Sequence, residues 1–382
     1  MIDAEVMGAL LDQMRRFIRE RLVPLEQWVE DNDRLPDEVV QEMREMGLFG
    51  VTIPAEFGGL GLSLPQEIEF VFELTWASLA FRSILAMNLG VGSQGLVMDG
   101  TEEQKRYWLP RIASGEIVTA FALTEPDSGS DSGALSTTAV KEGDNYVLNG
   151  SKRYISNAPH AGLITVMART EARRLPKNAH VTAFLVPSDT PGLTVGPKDR
   201  KMGQRGAATA DIYLEDVRVP ASSILGNVPG RGFATAMKVL DRGRLTVAAV
   251  AVGQGQRLLD EMLRYARERN QFGKPIAEFQ LIQAQLADSA TELLAARSMI
   301  RETAALYDRG QPVSREASSC KMFATEMVGR LADRAVQIHG GAGYINGTPV
   351  ERIYRDVRVL RIYEGTTQIQ QLVIAKHLLR GE

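Results

Sequence analysis

The stretch Tyr146-Val-Leu-Asn-Gly-Ser-Lys-Arg-Tyr-Ile-Ser156 reads as two short strand-like runs around an Asn-Gly pair. Asn-Gly is a strong signal for a two-residue hairpin turn, because both residues tolerate positive φ. The segment therefore predicts two paired strands with Asn149-Gly150 at their turn. Leu163 to Ala168 and Val181 to Val186 are further short apolar runs between polar or proline-bearing loops. Ile212, Leu214, Val217 and Val219 continue the pattern up to Pro220. Together these runs predict an antiparallel sheet or small barrel over 119–228.

The period changes on both sides of that block. Upstream, Val39, Val40, Met43 and Met46 recur at helical spacing and Gly47 supplies a stop. Thr101-Glu-Glu-Gln104 is a capping box, in which hydroxyl and amide side chains satisfy each other's backbone donors. Gly58, Gly59 and Gly61 form a loop between helical stretches. Downstream, Phe233–Arg269, Gln280–Tyr307, Ser314–His339 and Thr366–Leu379 predict a four-helix bundle, although Gly243, Gly253 and Gly255 weaken the first helix. The chain is thus α+β, with an N-terminal helical domain (1–118), a middle β domain (119–228) and a C-terminal helical domain (229–382). Helices, then strands, then helices is not the alternating order of a doubly wound sheet.

Composition narrows the function classes. A chain of 382 residues is long enough for two or three packed domains. Its net charge of −3 argues against a general polyanion binder, so no nucleic-acid partner is expected. The single cysteine, Cys320, excludes an internal disulfide and a CxxC site, and a reducing compartment is the default. Charges run throughout Met1 to Leu25, and no window approaches 18 uncharged apolar residues. The expectation is a cytoplasmic protein with no membrane partner. There is no HExxH, no GxSxG elbow, no P-loop and no GxGxxG after a strand, and the four histidines are scattered. No metal is expected.

Four segments remain as carriers of chemistry. In Phe121-Ala-Leu-Thr-Glu-Pro-Asp-Ser-Gly-Ser-Asp131 the hydroxyls and open amides suit the polar edge of a flat ring, though such a stretch alone is an ordinary turn. Arg269-Asn-Gln-Phe-Gly-Lys-Pro275 ends a helix with a guanidinium able to grip a diphosphate or merely to match the macrodipole. Gln337-Ile-His-Gly-Gly-Ala-Gly343 permits close backbone approach to a ligand, or is a helix C-cap. In Ile362-Tyr-Glu-Gly-Thr-Thr-Gln-Ile-Gln370, Glu364 precedes a helix start. The helix terminus favours its anion while burial would raise its pKa, and those opposed effects suit a general base, though a lone glutamate before a helix is ordinarily a capping residue.

These four segments, in this order and spacing, resemble the acyl-CoA dehydrogenase family. So do Asn149-Gly-Ser-Lys152, Lys201-Met-Gly203, Glu215-Asp-Val-Arg-Val-Pro220 and Leu240-Asp-Arg-Gly-Arg244. The resemblance spans essentially the whole chain. It implies an FAD-dependent α,β-dehydrogenation of an acyl-CoA thioester to the trans-2-enoyl-CoA, with electrons passed to an electron-transferring flavoprotein, by a homotetramer. Carried over, Phe121, Leu123, Thr124, Gly129 and Ser130 line the flavin, with Ser130 also at the thioester. Tyr154, Ile155 and Ser156 cover its other face, Tyr154 standing where many relatives have Trp. Arg269, Gln271, Phe272, Gln337 and Gly341 hold the diphosphate and adenosine half, partly from a neighbouring subunit, and Thr366 and Gln368 contact FAD.

Family members place the base either at the glutamate of the Tyr-Glu-Gly-Thr motif or on the long helix. Gly243 occupies the second position, so the resemblance assigns the base to Glu364. Tyr363, Gly365, Asp241 and Arg244 are implied substrate contacts, with an internal Asp241–Arg244 salt bridge as the alternative for that pair. Arg82, in Ala80-Phe-Arg-Ser83, is similar to the arginine of glutaryl-CoA dehydrogenases that binds a distal carboxylate, although Ala86 replaces the supporting serine. The other reading of Arg82 is a helix arginine paired to a nearby acid. An acyl-CoA oxidase and a nucleic-acid-binding flavoprotein are rival activities on the same fold.

Overall fold

The computed structural model describes residues 2–170 and 180–381. Helices fill the N-terminal part, from Ala4–Phe17 through Leu64–Leu74 and Leu79–Leu89 to Glu102–Ala113. The capping box opens the last of these as expected: Gln104 N–H donates to the Thr101 hydroxyl at 3.2 Å, and Thr101 N–H to the Gln104 side chain at 3.1 Å. Gly47 follows the helix Asp37–Glu45 with a left-handed φ of 70°.

Seven strands follow: β1 Val118–Ala122, β2 Thr138–Glu142, β3 Asn145–Ser156, β4 Ala161–Arg169, β5 Val181–Pro187, β6 Leu193–Val195 and β7 Thr209–Pro220. They form one sheet in the order β1-β4-β2-β3-β7-β6, with β5 on β4. The β2–β3, β3–β7, β6–β7 and β4–β5 pairs are antiparallel, whereas β1 and β2 meet β4 in parallel.

The expected hairpin turn at Asn149-Gly150 does not exist. β3 runs unbroken through both residues, and the chain reverses earlier, between Glu142 and Asn145, with Gly143 at φ 60°. Asn149-Gly150 instead faces a bulge in β7, where the register steps from Leu148↔Val217 to Gly150↔Leu214. Asp216, in that bulge, has φ 51°. Its N–H donates to the Asn149 side-chain oxygen at 2.8 Å, and the Asn149 amide donates back to its carboxylate at 3.0 Å. Glycine is needed at 150 for space: a Cβ there would lie 2.6 Å from the Thr137 hydroxyl oxygen. The same dipeptide serves a turn or a bulge, and long-range pairing decides which.

Four long helices close the chain: Gly232–Glu268, Gln280–Asp308, Ser314–His339 and Thr367–Arg380. The first is continuous over 37 residues despite its glycines, because packing outweighs propensity. Its central run Leu245 to Gly255 is buried at every position. That run passes between the helical bundle and Leu64–Leu74 of the N-terminal part, joining the two into one apolar core.

Gly253 marks the tightest approach. A Cβ there would stand on the Thr75 hydroxyl and 2.7 Å from the Phe72 carbonyl oxygen. Thr75 cannot easily rotate away, since its hydroxyl donates to the Val71 carbonyl at 2.7 Å. Gly253→Ala would gain roughly 0.5–1 kcal/mol of helix propensity but incur about 1–3 kcal/mol of overpacking. A lower denaturant midpoint is expected; an unchanged or raised midpoint contradicts this packing.

Candidate active site

A cavity of about 370 Å³ opens where the sheet, the N-terminal helices and the C-terminal helices meet. Its sheet wall is the loop after β1 together with the end of β3. Burial pushes the Glu125 carboxyl up, but the charge of Lys152 and hydrogen bonds from Lys152, Thr137 and Ser136 outweigh it and hold the group at about 2. Lys152 Nζ, with a fully buried side chain, lies 2.8 Å from Glu125 Oε1 and also donates to the Leu123 carbonyl at 3.2 Å. Arg153 N–H donates to the Thr124 carbonyl at 2.8 Å. The backbone that presents Phe121, Leu123 and Thr124 is thus anchored from beneath by a buried ion pair.

Tyr154, Ile155 and Ser156 reach the cavity from a register irregularity in β3, a place where bulges re-aim side chains. Tyr154 has φ 59°, its N–H donates to the Asp211 carboxylate at 3.2 Å, and Arg153 stacks over its ring at 4.9 Å.

Glu364 lies on the opposite wall. It and Gly365 both have positive φ, 55° and 85°, just before Thr366 caps the last helix by accepting from Ile369 N–H. Gly365 is required there, since a Cβ would sit 2.6 Å from the Gln370 side-chain nitrogen. That amide donates to the carbonyls of Glu364 at 3.1 Å and Gly365 at 3.0 Å. Burial raises the Glu364 pKa, and the charges of Arg82, Arg244 and Lys321 oppose the rise. Glu364 Oε2 is buried without a hydrogen-bond partner. A Cβ on Gly243 would lie 3.0 Å from it, so the long helix leaves room for this carboxylate.

Of the residues singled out from sequence, the cavity gathers Arg82, Phe121, Leu123, Thr124, Gly129, Ser130, Tyr154, Ile155, Ser156, Arg244, Tyr363, Glu364 and Gly365. Asp241 is outside the lining and pairs with Arg244 at 2.5 Å, while also accepting from Ser314, so the internal salt bridge is what forms. Arg82 shares the cavity lining with Glu364, whose carboxylate feels its charge, and no described carboxylate reaches it at ion-pair distance. Arg269, Gln271, Phe272, Gln337, Gly341, Thr366 and Gln368 do not line this cavity. Arg269, Gln271, Phe272, Gln337 and Gly341 are exposed, Phe272 to 94 %. The helix ends that carry them approach each other, with Tyr265 stacked on His339 at 4.2 Å.

Three family models match in succession: the acyl-CoA dehydrogenase N-terminal domain over 5–116, its middle domain over 120–217 and its C-terminal domain over 230–379. This chain belongs to the acyl-CoA dehydrogenase family. The short-chain specific acyl-CoA dehydrogenase of Homo sapiens is 42 % identical over 97 % of this chain and 90 % of its own. A subunit of the caffeyl-CoA reductase–Etf complex of Acetobacterium woodii is 43 % identical over 92 % of each. The butyryl-CoA dehydrogenase of Megasphaera elsdenii superposes with a TM-score of 0.95, at 34 % identity over 100 % of both chains.

Acyl-CoA dehydrogenases are FAD-dependent flavoproteins, and this chain's cavity suits the flavin ring. Phe121, Leu123 and Ile155 offer apolar faces, Thr124, Ser130 and Ser156 offer hydroxyls, and the orphaned Glu364 carboxylate faces them across the space. Sequence reasoning missed two members of the site, Lys321 and Gln370, both fully buried behind the Glu364 turn. Lys321 carried a signal: it is a charge on the buried stripe Ala317, Cys320, Ala324 and Val328 of its helix. Gln370 carried none, because a glutamine in the first turn of a helix is unremarkable.

The Glu125 anchor has a pH signature. A carboxyl depressed from 4.5 to about 2 contributes stability that is fully present above 4.5 and lost as pH falls through about 2. Glu125→Gln should flatten that loss and, by leaving Lys152 unpaired, lower stability at neutral pH by about 3–5 kcal/mol. Denaturant titrations of both proteins across this range check it, and superimposable pH profiles count against the anchor.

Proposed function

We propose that Glu364 is the base of an FAD-dependent acyl-CoA dehydrogenase acting on short acyl-CoA thioesters, with an electron-transferring flavoprotein as electron partner. The observation that carries the assignment is the partnerless Glu364 Oε2 in a cavity between the flavin-type lining and Arg244. FAD, when bound, supplies the two-electron acceptor for the hydride that leaves the β-carbon. Glu364 removes the proton from the carbon next to the thioester carbonyl. The backbone N–H of Glu364 holds the thioester oxygen, where negative charge grows as that proton leaves. Burial favours the neutral carboxyl, so proton transfer to Glu364 relieves an unfavourable buried charge. The same group can return the proton, which fits the relative named a reductase.

The remaining sequence-derived contacts complete the reading. Tyr363 and Gly365 flank the thioester beside Ser130, and Arg244, held by Asp241, borders it. Phe121 through Ser130 and Tyr154 through Ser156 hold the flavin ring, and Thr366 and Gln368 meet FAD from the start of the last helix. Arg269, Gln271, Phe272, Gln337 and Gly341 grip the diphosphate and adenosine half from a second copy, within a homotetramer. Support for that last assignment is their exposure and their distance from the cavity of their own chain. No described helix is long and apolar enough to cross a membrane, and we place the enzyme in the cytoplasm.

Arg82 supports a second reading, a preference for dicarboxylyl thioesters. Arg82 lines the cavity without an ion pair among the described residues, and a half-buried cation facing an acyl tail favours an anionic tail.

Glu364→Gln should retain flavin and lose turnover by about 10²–10⁴-fold, read as bleaching of the flavin band by butyryl-CoA; preserved bleaching moves the base elsewhere. In the wild type the bleaching rate should rise with pH along a limb above the ordinary carboxylate range, because the base must be ionised and burial raises its pKa. Arg82→Gln should slow bleaching by glutaryl-CoA far more than by butyryl-CoA. Equal effects on the two thioesters would leave Arg82 without a role in selecting the tail.

A further inference from the structure

Lys321 is the one member of the site that neither the family motifs nor the cavity lining account for. Its side chain is fully buried in the helix Ser314–His339, among Ala317, Cys320, Ala324 and Thr325. Burying an ammonium is costly unless a partner compensates. Among the described residues it has one acceptor, the Gly365 carbonyl oxygen at 2.6 Å. Burial lowers its pKa to about 8, and the charge of Glu364 is the strongest influence opposing that fall.

The turn it reaches is the one that presents the base. Glu364 is a non-glycine residue at φ 55°, a strained conformation that surrounding contacts must maintain. Gln370 holds the turn from the last helix and Lys321 from the helix behind it. Three cations face the Glu364 carboxylate, one from each packed element: Arg82 from Leu79–Leu89, Arg244 from the long helix and Lys321. Arg244 is engaged by Asp241 at 2.5 Å, and Arg82 borders the open cavity. Tyr363 is the titratable neighbour on the turn itself, and Glu326 is the other carboxylate near Lys321. Lys321 is therefore the cation whose hydrogen bond goes to the turn alone.

We infer that Lys321 is a positioning residue for the base: its ammonium fixes the Gly365 carbonyl, and its charge favours the ionised Glu364 carboxylate. The inference rests on Glu364 being the base. Separating the two uses Lys321→Gln, which keeps a donor and loses the charge, Lys321→Met, which loses both, and Lys321→Arg, which keeps the charge. Each is prepared as the flavin-loaded protein. The Glu364 carboxyl is titrated by difference infrared spectroscopy, its band assigned by its loss in Glu364→Gln, and flavin bleaching by butyryl-CoA is followed against pH.

In Lys321→Gln and Lys321→Met the carboxyl should titrate at higher pH than in the wild type, and the bleaching limb should move with it. At its plateau bleaching should slow by about 10²-fold in Lys321→Met, the scale of a displaced reacting group, and by less in Lys321→Gln. Lys321→Arg should restore the wild-type titration. An unmoved carboxyl band in both neutral variants, with only a lower melting temperature, overturns the inference, as does failure of Lys321→Arg to restore a moved band. A carboxyl that moves while the bleaching limb stays still supports the Lys321 contact and overturns Glu364 as the base.

Discussion

A buried carboxylate is pushed towards its neutral form by its own burial, and the architecture around Glu364 is organised by the charges that oppose that push. Burial raises its pKa, while Arg82, Arg244 and Lys321 pull it down from three different helices. Gly243, lacking a side chain, leaves the carboxylate its room, and the turn that presents it holds Glu364 and Gly365 in left-handed conformations. Each condition comes from a different part of the chain. The long helix Gly232–Glu268 links them, since it supplies Gly243 and Arg244 and buries its central run against both neighbouring helical layers.

The sheet solves a separate problem, that of holding a loop still at a domain junction. Phe121 to Ser130 would be mobile if it were only a polar turn. Instead Glu125 takes its place in the interior, with four donor groups from Ser136 and Thr137 and a fifth from Lys152. A fully satisfied buried carboxylate rigidifies what it touches. Lys321 and Gln370 do the corresponding work on the opposite wall. The cavity is thus bounded by two backbone segments, each held from behind by a buried lysine that donates to a carbonyl.

Much of this was legible in the residues. Helical period and capping box placed the long helices to within a residue or two, because those signals are local. Thirteen of the residues singled out did converge on one cavity. Asn149-Gly150 misled because its local preference for a turn was overridden by pairing with β7 across the sheet, where Asn149 stabilises a bulge at Asp216. Arg269, Phe272 and Gln337 share the motif's spacing but lie on a surface away from the cavity.

Local sequence alone determined which residues could do chemistry here: a glutamate before a capped helix, an arginine after a glycine, a loop rich in hydroxyls. Tertiary structure decided which of them act on one another. It set Lys321 behind the Glu364 turn, joined Arg244 to Asp241 and brought Arg82 into the cavity with Glu364. The physical reason is range. Caps, turns and helical faces depend on neighbours three or four residues away, whereas the ionisation of Glu364 depends on charges separated from it by between 43 and 282 positions.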